Sequence, residues 1–130
     1  RGIEEELLPV CKENNVTIQA YSPLEMGLLS GALPRDYKPV GAQIPKKWFQ
    51  PENMSKAMDM MDAWKPLCEK YDCTVANLAL AWILAQGEFI TLLSGATTVA
   101  QIDENIKSAE LELEPGDVAY MRKLAEELEK

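Results

Sequence analysis

Two short strand-like segments, far apart in the chain and each preceded by a helical pattern, set the strongest constraint on the fold. Residues 16–24, "VTIQAYSPL", alternate in a β-rich composition and stop at a proline, and residues 89–93, "FITLL", form a second apolar run. Helix and strand in alternation predict an α/β fold with a parallel sheet. Two parallel strands cannot cover their own faces and edges. The sequence therefore predicts a sheet that needs further strands or association with another chain.

The remaining sequence is mostly helical. Apolar residues recur every three or four positions in about five segments, which predicts amphipathic helices. Within them we expect Trp82 to be buried, and Val99, Ile102 and Ile106 to face inward. A stretch rich in glycine and proline, residues 25–51, is too long for a simple connection and is typical of a functional or mobile loop. We expect a kink at Pro66, and Thr74 can cap the helix that follows it. The predicted helices span residues 2–14, 53–71, 75–86, 97–111 and 115–130.

Composition narrows the classes of function. The chain has 130 residues, 47% of them hydrophobic, and a net charge of −8, which together predict a folded domain that nucleic acid and anionic membranes repel. The longest apolar stretch, residues 78–85, is too short to span a bilayer. Three cysteines at no disulfide or zinc spacing and the absence of histidine predict no metal site and no Ser-His or Cys-His pair. We expect a cytoplasmic protein whose partner is a small molecule or another protein.

The first candidate site is "ITLLSGATTVAQIDENI" at residues 90–106, where a strand ends in a glycine-containing turn that leads into a helix. In that geometry the free N–H groups of the helix start can bind a phosphate. The alternative is purely structural: Thr98 and Gln101 form a capping box, and Glu104 and Asn105 lie on a solvated face. The residues alone leave both interpretations open.

The second candidate site is "AYSPLEMGLLSG" at residues 20–31, which also follows a strand. Tyr21 offers a ring on which a planar base can stack, and Ser22 offers a hydroxyl group. The alternative is a buried tyrosine followed by a proline turn. Because ligands bind at the carboxyl ends of parallel strands, two candidate sites at two such ends support each other.

Four segments resemble, in order and spacing, the C-terminal part of an aldo-keto reductase, and the match that they define extends over nearly all of the chain. The pair "YSPLEMGLLSG" and "GATTVAQIDEN" is the most specific part of the match. The resemblance implies a (β/α)8 TIM barrel, of which this chain, residues 1–130, supplies two parallel strands and their helices and is incomplete as given. It also implies a nicotinamide cofactor, usually NADP, and a small aldehyde or ketone substrate. The four segments are residues 1–31, 74–86, 94–106 and 111–124.

The resemblance also assigns roles to nine residues. It implies that the Tyr21 ring stacks on the nicotinamide and that the loop after it lines the pyrophosphate. The second turn approaches the adenosine phosphate, and the helix after it binds the ribose and adenine. The loop residues are Ser22, Leu24 and Met26, the turn residues are Gly95 and Thr97, and the helix residues are Gln101, Glu104 and Asn105.

The chain departs from the family pattern in two ways that bear on function. No lysine or arginine lies between Gly95 and Asn105, so the cation that a 2′-phosphate requires is missing and NAD is possible. We expect Glu25, beside the implied pyrophosphate site, to point to solvent. In the long loop, Trp48 and Phe49 either line the substrate pocket or simply pack the loop on the barrel.

The family's proton-transfer set of Asp, Tyr, Lys and His lies, by the resemblance, in the part of the barrel that precedes this chain. The segment is therefore expected to bind cofactor without reducing a carbonyl on its own. Because the sequence begins with Arg1 rather than Met, we expect a segment of a longer protein. Three hypotheses follow: part of an NAD(P)H-dependent reductase, a non-catalytic module that senses the cofactor, or a truncated product that folds as an oligomer. As an isolated segment we expect a homo-oligomer.

Overall fold

The structure, a computed structural model, describes residues 2–129; Arg1 and Lys130, the ends of the predicted segment, lie outside that range. Two strands and six α-helices lie within it, where the sequence predicts two strands and five helices. No helix in that range is long and apolar enough to cross a bilayer. The elements are α1 (Gly2–Glu13), β1 (Ile18–Tyr21), α2 (Pro51–Ala63), α3 (Lys65–Tyr71), α4 (Val75–Leu84), β2 (Ile90–Leu93), α5 (Val99–Lys107) and α6 (Pro115–Glu127), with 3-10 turns at Glu25–Ser30, Gly41–Gln43, Lys47–Phe49 and Ser108–Glu110.

The two strands pair in parallel, which confirms the predicted arrangement. The register runs from Ile18 opposite Ile90 to Tyr21 opposite Leu93, so both strands end at the same level. Side chains alternate between the two faces of a strand. Ile90 is buried on the face that the helices cover, while Tyr21 and Leu93 are exposed on the other face. The loops that follow the two strands therefore leave the sheet side by side.

The helix predicted over residues 53–71 is broken in the structure, close to the kink predicted at Pro66. The structure has two helices there, α2 and α3, which meet at Trp64. Pro66 lacks an N–H group and cannot continue the hydrogen-bond ladder of α2, but it fits the first turn of a new helix. Trp64, only 4% exposed, lies at the junction and holds the two helices on the core.

The main core lies between α2, α4 and the long loop. Methionines of α2 pack around Leu78 and Ala79 of α4, and Phe49 from the loop is buried with them. Trp82, by contrast, is only half-buried, so its predicted burial is only partly right. Its ring packs against the core while its Nε1 donates to the carbonyl of Val118 at 3.0 Å. The indole nitrogen needs that partner, and this contact holds α4 against α6.

Ile102 and Ile106 of α5 face inward as predicted, lining a cavity with Leu80 of α4 and Ile90 of β2, but the apolar residues of α5 are not buried. Val99 is 74% exposed, Ile102 49% and Ile106 58%. The apolar face of α1 is also open, with Ile3 and Val10 more than half exposed. The helical periodicity correctly identifies an amphipathic stripe, but within residues 2–129 no element buries it.

These open faces are the structural basis for testing whether the isolated chain forms an oligomer. We expect the isolated chain to associate, because exposed apolar helix faces and unpaired strand edges favour self-association. Multi-angle light scattering at micromolar concentration measures the mass directly. A monodisperse species with the 14.5 kDa mass of one chain would contradict the prediction.

Candidate functional site

A cavity of about 730 Å³ lies where the two strands end. Its walls come from both strand ends, the loop after β1, the start of α4, and α5. It contains eight of the nine residues assigned by the sequence, including Tyr21 and Gln101, which belong to different candidate motifs. The two motifs, about seventy residues apart in the chain, therefore form one site. The eight residues are Tyr21, Ser22, Leu24, Met26, Gly95, Gln101, Glu104 and Asn105.

The wall after β1 exposes an aromatic ring beside an unusual loop. Tyr21 is 81% exposed, so the alternative of a buried tyrosine is wrong. Ser22 and Met26 have positive φ angles of 50° and 52°, and Gly27 follows with 93°. Such angles are costly for residues with a side chain and persist only where the surroundings hold them. The loop is a strained turn whose residues line the cavity.

Glu25 does not behave as expected. Instead of extending into solvent it is half-buried, and it lines a separate small cavity together with Leu28 and Trp48. The positive φ of 43° at Glu25 turns its side chain away from the strand-end cavity. The carboxylate is thus kept out of the large cavity, although not in the direction predicted.

The wall formed by α5 begins with a helix cap that is only half of the predicted capping box. The Thr98 hydroxyl accepts from the Gln101 backbone N–H at 3.2 Å, as predicted. The Gln101 side chain, however, accepts from the N–H of Thr97 at 2.7 Å instead of from Thr98. Thr97 does not line the cavity and reaches it only through Gln101. The Gln101 Nε2 amide has no protein acceptor in the described residues, so it is free to donate into the cavity.

Further along α5, Glu104 is tied to its neighbours. Its carboxylate accepts from Lys107 Nζ at 2.8 Å and from the Thr74 hydroxyl at 3.1 Å. The Lys107 hydrogen bond and then the Thr74 bond hold the pKa of Glu104 below its ordinary value. The carboxylate therefore stays ionised at neutral pH. Asn105 lines the same cavity, and its side-chain amide has no hydrogen-bond partner within residues 2–129.

The sequence analysis missed three polar residues of the cavity: Ser30, Ser94 and Thr74. The Ser30 hydroxyl donates to the Gly27 carbonyl at 2.6 Å. Ser94 follows β2 directly, and its buried hydroxyl has no hydrogen-bond partner in the described part of the chain. Thr74, predicted only as the cap of α4, does cap it by accepting from the Asn77 N–H, and it also lines the cavity. Ser94 could have been found from its position at a strand end; Thr74 could not, because its capping pattern explains it fully.

Phe49, in the long loop, packs in the core and does not form part of the cavity wall. That ring is 1% exposed and lies in the core with Leu28 and Met54, and neither it nor Trp48 lines the strand-end cavity. Of the two interpretations left open by the sequence, packing describes Phe49.

Parallel strands with helices on one face and a cavity at their carboxyl ends are features of a (β/α)8 barrel. The sequence profile of the aldo/keto reductase family matches residues 1–126. The chain belongs to the aldo/keto reductase family.

The proteins to which this chain is similar are much longer than the chain itself. The NADH-specific methylglyoxal reductase of Escherichia coli (strain K12) is 51% identical over 130 residues, which are 100% of this chain and 40% of that protein. An aldo-keto reductase of Strobilurus tenacellus is 40% identical over 127 residues, 95% of this chain and 37% of that protein. Among solved structures, a glycerol dehydrogenase from Gluconobacter oxydans superposes with a TM-score of 0.87 at 28% identity, covering 95% of this chain and 38% of that one. The chain thus spans about two fifths of the length of these relatives.

Proposed function

We propose that this chain is the cofactor-binding C-terminal part of a reductase that uses NADH to reduce a small carbonyl compound. The observation that carries the proposal is the single cavity at the ends of both strands, which unites eight of the nine residues assigned to cofactor binding. Ligands of parallel α/β barrels bind at this edge of the sheet.

The cavity suits a nicotinamide dinucleotide in its polar groups. An exposed aromatic ring, Tyr21, offers a stacking surface at one end. Along α5, the Gln101 and Asn105 amides are available to hydroxyl and ring-nitrogen groups. Between them, the buried Ser94 hydroxyl lacks a protein partner, and such a group is normally satisfied by a ligand or water. A Cβ added at Gly95 would contact nothing, so a ligand can approach the backbone there.

The charge of the cavity favours NADH over NADPH. Within the described residues, Glu104 is the one charged side chain in its lining, and it is an acid. NADPH carries a 2′-phosphate that needs a cationic partner, whereas a carboxylate suits the 2′-hydroxyl of NADH. The E. coli relative is named as NADH-specific, which supports the same choice.

The proposed division of labour leaves proton transfer to the rest of the barrel. When bound, the cofactor supplies a hydride to the carbonyl carbon. Tyr21 holds the nicotinamide end against the sheet, while Gln101 and Asn105 hold the adenosine end. The substrate class is a small aldehyde or ketone, in keeping with the names of the E. coli and Gluconobacter oxydans proteins. A cytoplasmic location, where thiols such as Cys68 and Cys73 stay reduced, is part of the proposal.

The proposal predicts that Gln101→Ala and Asn105→Ala each weaken NADH binding several-fold. Each change removes polar contacts that contribute on the order of 1 kcal/mol. The measurement is a fluorescence titration of NADH on a complete barrel that contains this chain, with a thermal melt of each variant. Asn105→Ala should leave the melting temperature unchanged, because its amide has no protein partner among the described residues.

Asp103→Ala provides the matched control, since this exposed residue lies on the same helix but outside the cavity lining. If the affinity for NADH is unchanged in both amide variants, Gln101 only supports the start of α5 and Asn105 is a surface residue. Tight NADH binding without NADH oxidation, in the presence of carbonyl substrates, would favour the cofactor-sensing module over the reductase.

A further inference from the structure

Gln43 is a buried polar residue far in sequence from both site motifs. It lies in the long loop, 9% exposed, and it is one of three buried polar or charged residues within the described range. Burying an amide without partners is costly, so its hydrogen bonds decide whether the position is tolerated. All of those bonds connect segments of the loop between residues 26 and 43.

The Gln43 amide has a defined orientation. Its Oε1 accepts from the Tyr37 hydroxyl at 2.8 Å and from the Val40 backbone N–H at 3.0 Å. Because a backbone N–H can only donate, Oε1 must face Val40 and Nε2 must face the other way. There Nε2 donates to the backbone carbonyl of Met26 at 3.2 Å. One side chain thus joins the outer part of the loop to a residue that lines the strand-end cavity.

Met26 is the cavity-wall residue at the centre of the strained part of the loop. It lies between Glu25 and Gly27 in a run of three positive φ angles, a conformation that a methionine rarely adopts. Strain of this kind persists only where neighbouring contacts over-determine it. Within the described residues, the side-chain hydrogen bond to the Met26 backbone comes from Gln43. The turn also has contacts of its own: the Ser30 hydroxyl donates to the Gly27 carbonyl at 2.6 Å, and Leu28 is buried in the core.

The polar side-chain attachments of the loop beyond the turn lie away from Met26. Arg35 pairs with Asp59 and Asp62 on α2, but all three side chains are about half exposed or more, and exposed pairs contribute little. Gln50 bonds only to carbonyls of its own segment, Ile44 and Lys46. Neither attachment reaches the residues that line the cavity.

We propose that Gln43 is a positioning residue for the cofactor site: through the Met26 carbonyl it holds the loop after β1 in the shape that contacts the cofactor. The inference rests on the proposed function, since the contact it improves is with NADH. Gln43 itself lies outside the cavity lining, so the proposed role acts through Met26.

Gln43→Glu tests the proposal in a complete barrel that contains this chain. The substitution keeps an oxygen for Tyr37 and Val40 and replaces the Nε2 donor by a second acceptor, which faces the Met26 carbonyl and adds a negative charge when ionised. We expect the Kd and the KM for NADH to rise roughly three- to tenfold, the change expected from losing one buried hydrogen bond, with kcat close to that of the unmodified protein. In the cofactor-free protein, amide hydrogen exchange of residues 24–30 should accelerate.

The matched control is Gln50→Glu, the same chemical change in the same loop at an exposed residue with no bond to the cavity wall. It should leave the Kd for NADH and the exchange of residues 24–30 unchanged. Tyr37→Phe removes a partner of Gln43 without adding charge, and it should give a smaller change in the same direction. If Gln43→Glu does not fold, Tyr37→Phe tests the positioning role in its place.

The outcomes separate the two proposals. Unchanged affinity and unchanged exchange in Gln43→Glu would overturn the positioning role, as would equal effects in Gln50→Glu. If the unmodified barrel does not bind NADH, the proposed function fails, and hydrogen exchange alone still decides whether Gln43 holds the loop.

Discussion

Replacing Phe49 with alanine is expected to lower the free energy of unfolding by about 3 to 5 kcal/mol, the cost of truncating a buried aromatic ring. The ring is 1% exposed and is among the largest fully buried side chains of the chain. It lies between the long loop and α2, where its removal leaves a cavity beside Leu28 and Met54. Chemical denaturation of a complete barrel that contains this chain measures the effect.

The control is Trp48→Ala, at the neighbouring position of the same 3-10 turn. The Trp48 ring is half-buried and lies under the Lys47 ammonium at 4.8 Å, so its loss should cost less. Phe49→Leu is a milder variant that keeps the core partly filled. Because neither ring lines the strand-end cavity, this variant should not change the ratio of the kcat/KM values for two carbonyl substrates. A change in that ratio without a loss of stability would assign Phe49 to the substrate pocket.

Much of the fold could be predicted because its signals are local. Thr74 and Asn77 form the capping box that starts α4, and the alternating segment around Ile18 becomes β1. The position of the candidate site could also be predicted, since residues that follow parallel strands meet at one edge of the sheet even when they are far apart in the chain. The parallel register, with Tyr21 opposite Leu93, brings the two motifs together.

The failures share a physical cause: a periodic pattern shows which face of a helix is apolar but not what covers it. Val99 and Ile106 have the spacing of core residues yet are exposed in this chain. Gln43 shows the same limit for polar residues. Nothing in the local sequence distinguishes it from the exposed Gln50, because its role depends on the Met26 carbonyl seventeen residues away.

Cofactor preference is the second large effect that we expect. NADH should bind at least about tenfold more tightly than NADPH, because the 2′-phosphate would bring up to two negative charges toward the ionised Glu104. Coulomb repulsion between unit charges about 4 Å apart ranges from about 1 kcal/mol in water to about 4 kcal/mol near a protein surface, so about 1.4 kcal/mol, a tenfold difference, is within reach. Titrations with both cofactors at low ionic strength measure the ratio.

Glu104→Gln should narrow that preference by improving NADPH binding. The change removes the carboxylate and also releases Lys107, whose ammonium now bonds to it at 2.8 Å and would be able to approach a phosphate. Asp103→Asn removes the same charge from the same helix outside the cavity lining, and it should leave the ratio nearly unchanged. Raising the salt concentration should weaken the discrimination of the unmodified protein, since the carboxylate is partly exposed. Equal affinity for NADH and NADPH in the unmodified barrel would show that Glu104 does not face the 2′ position of the ribose.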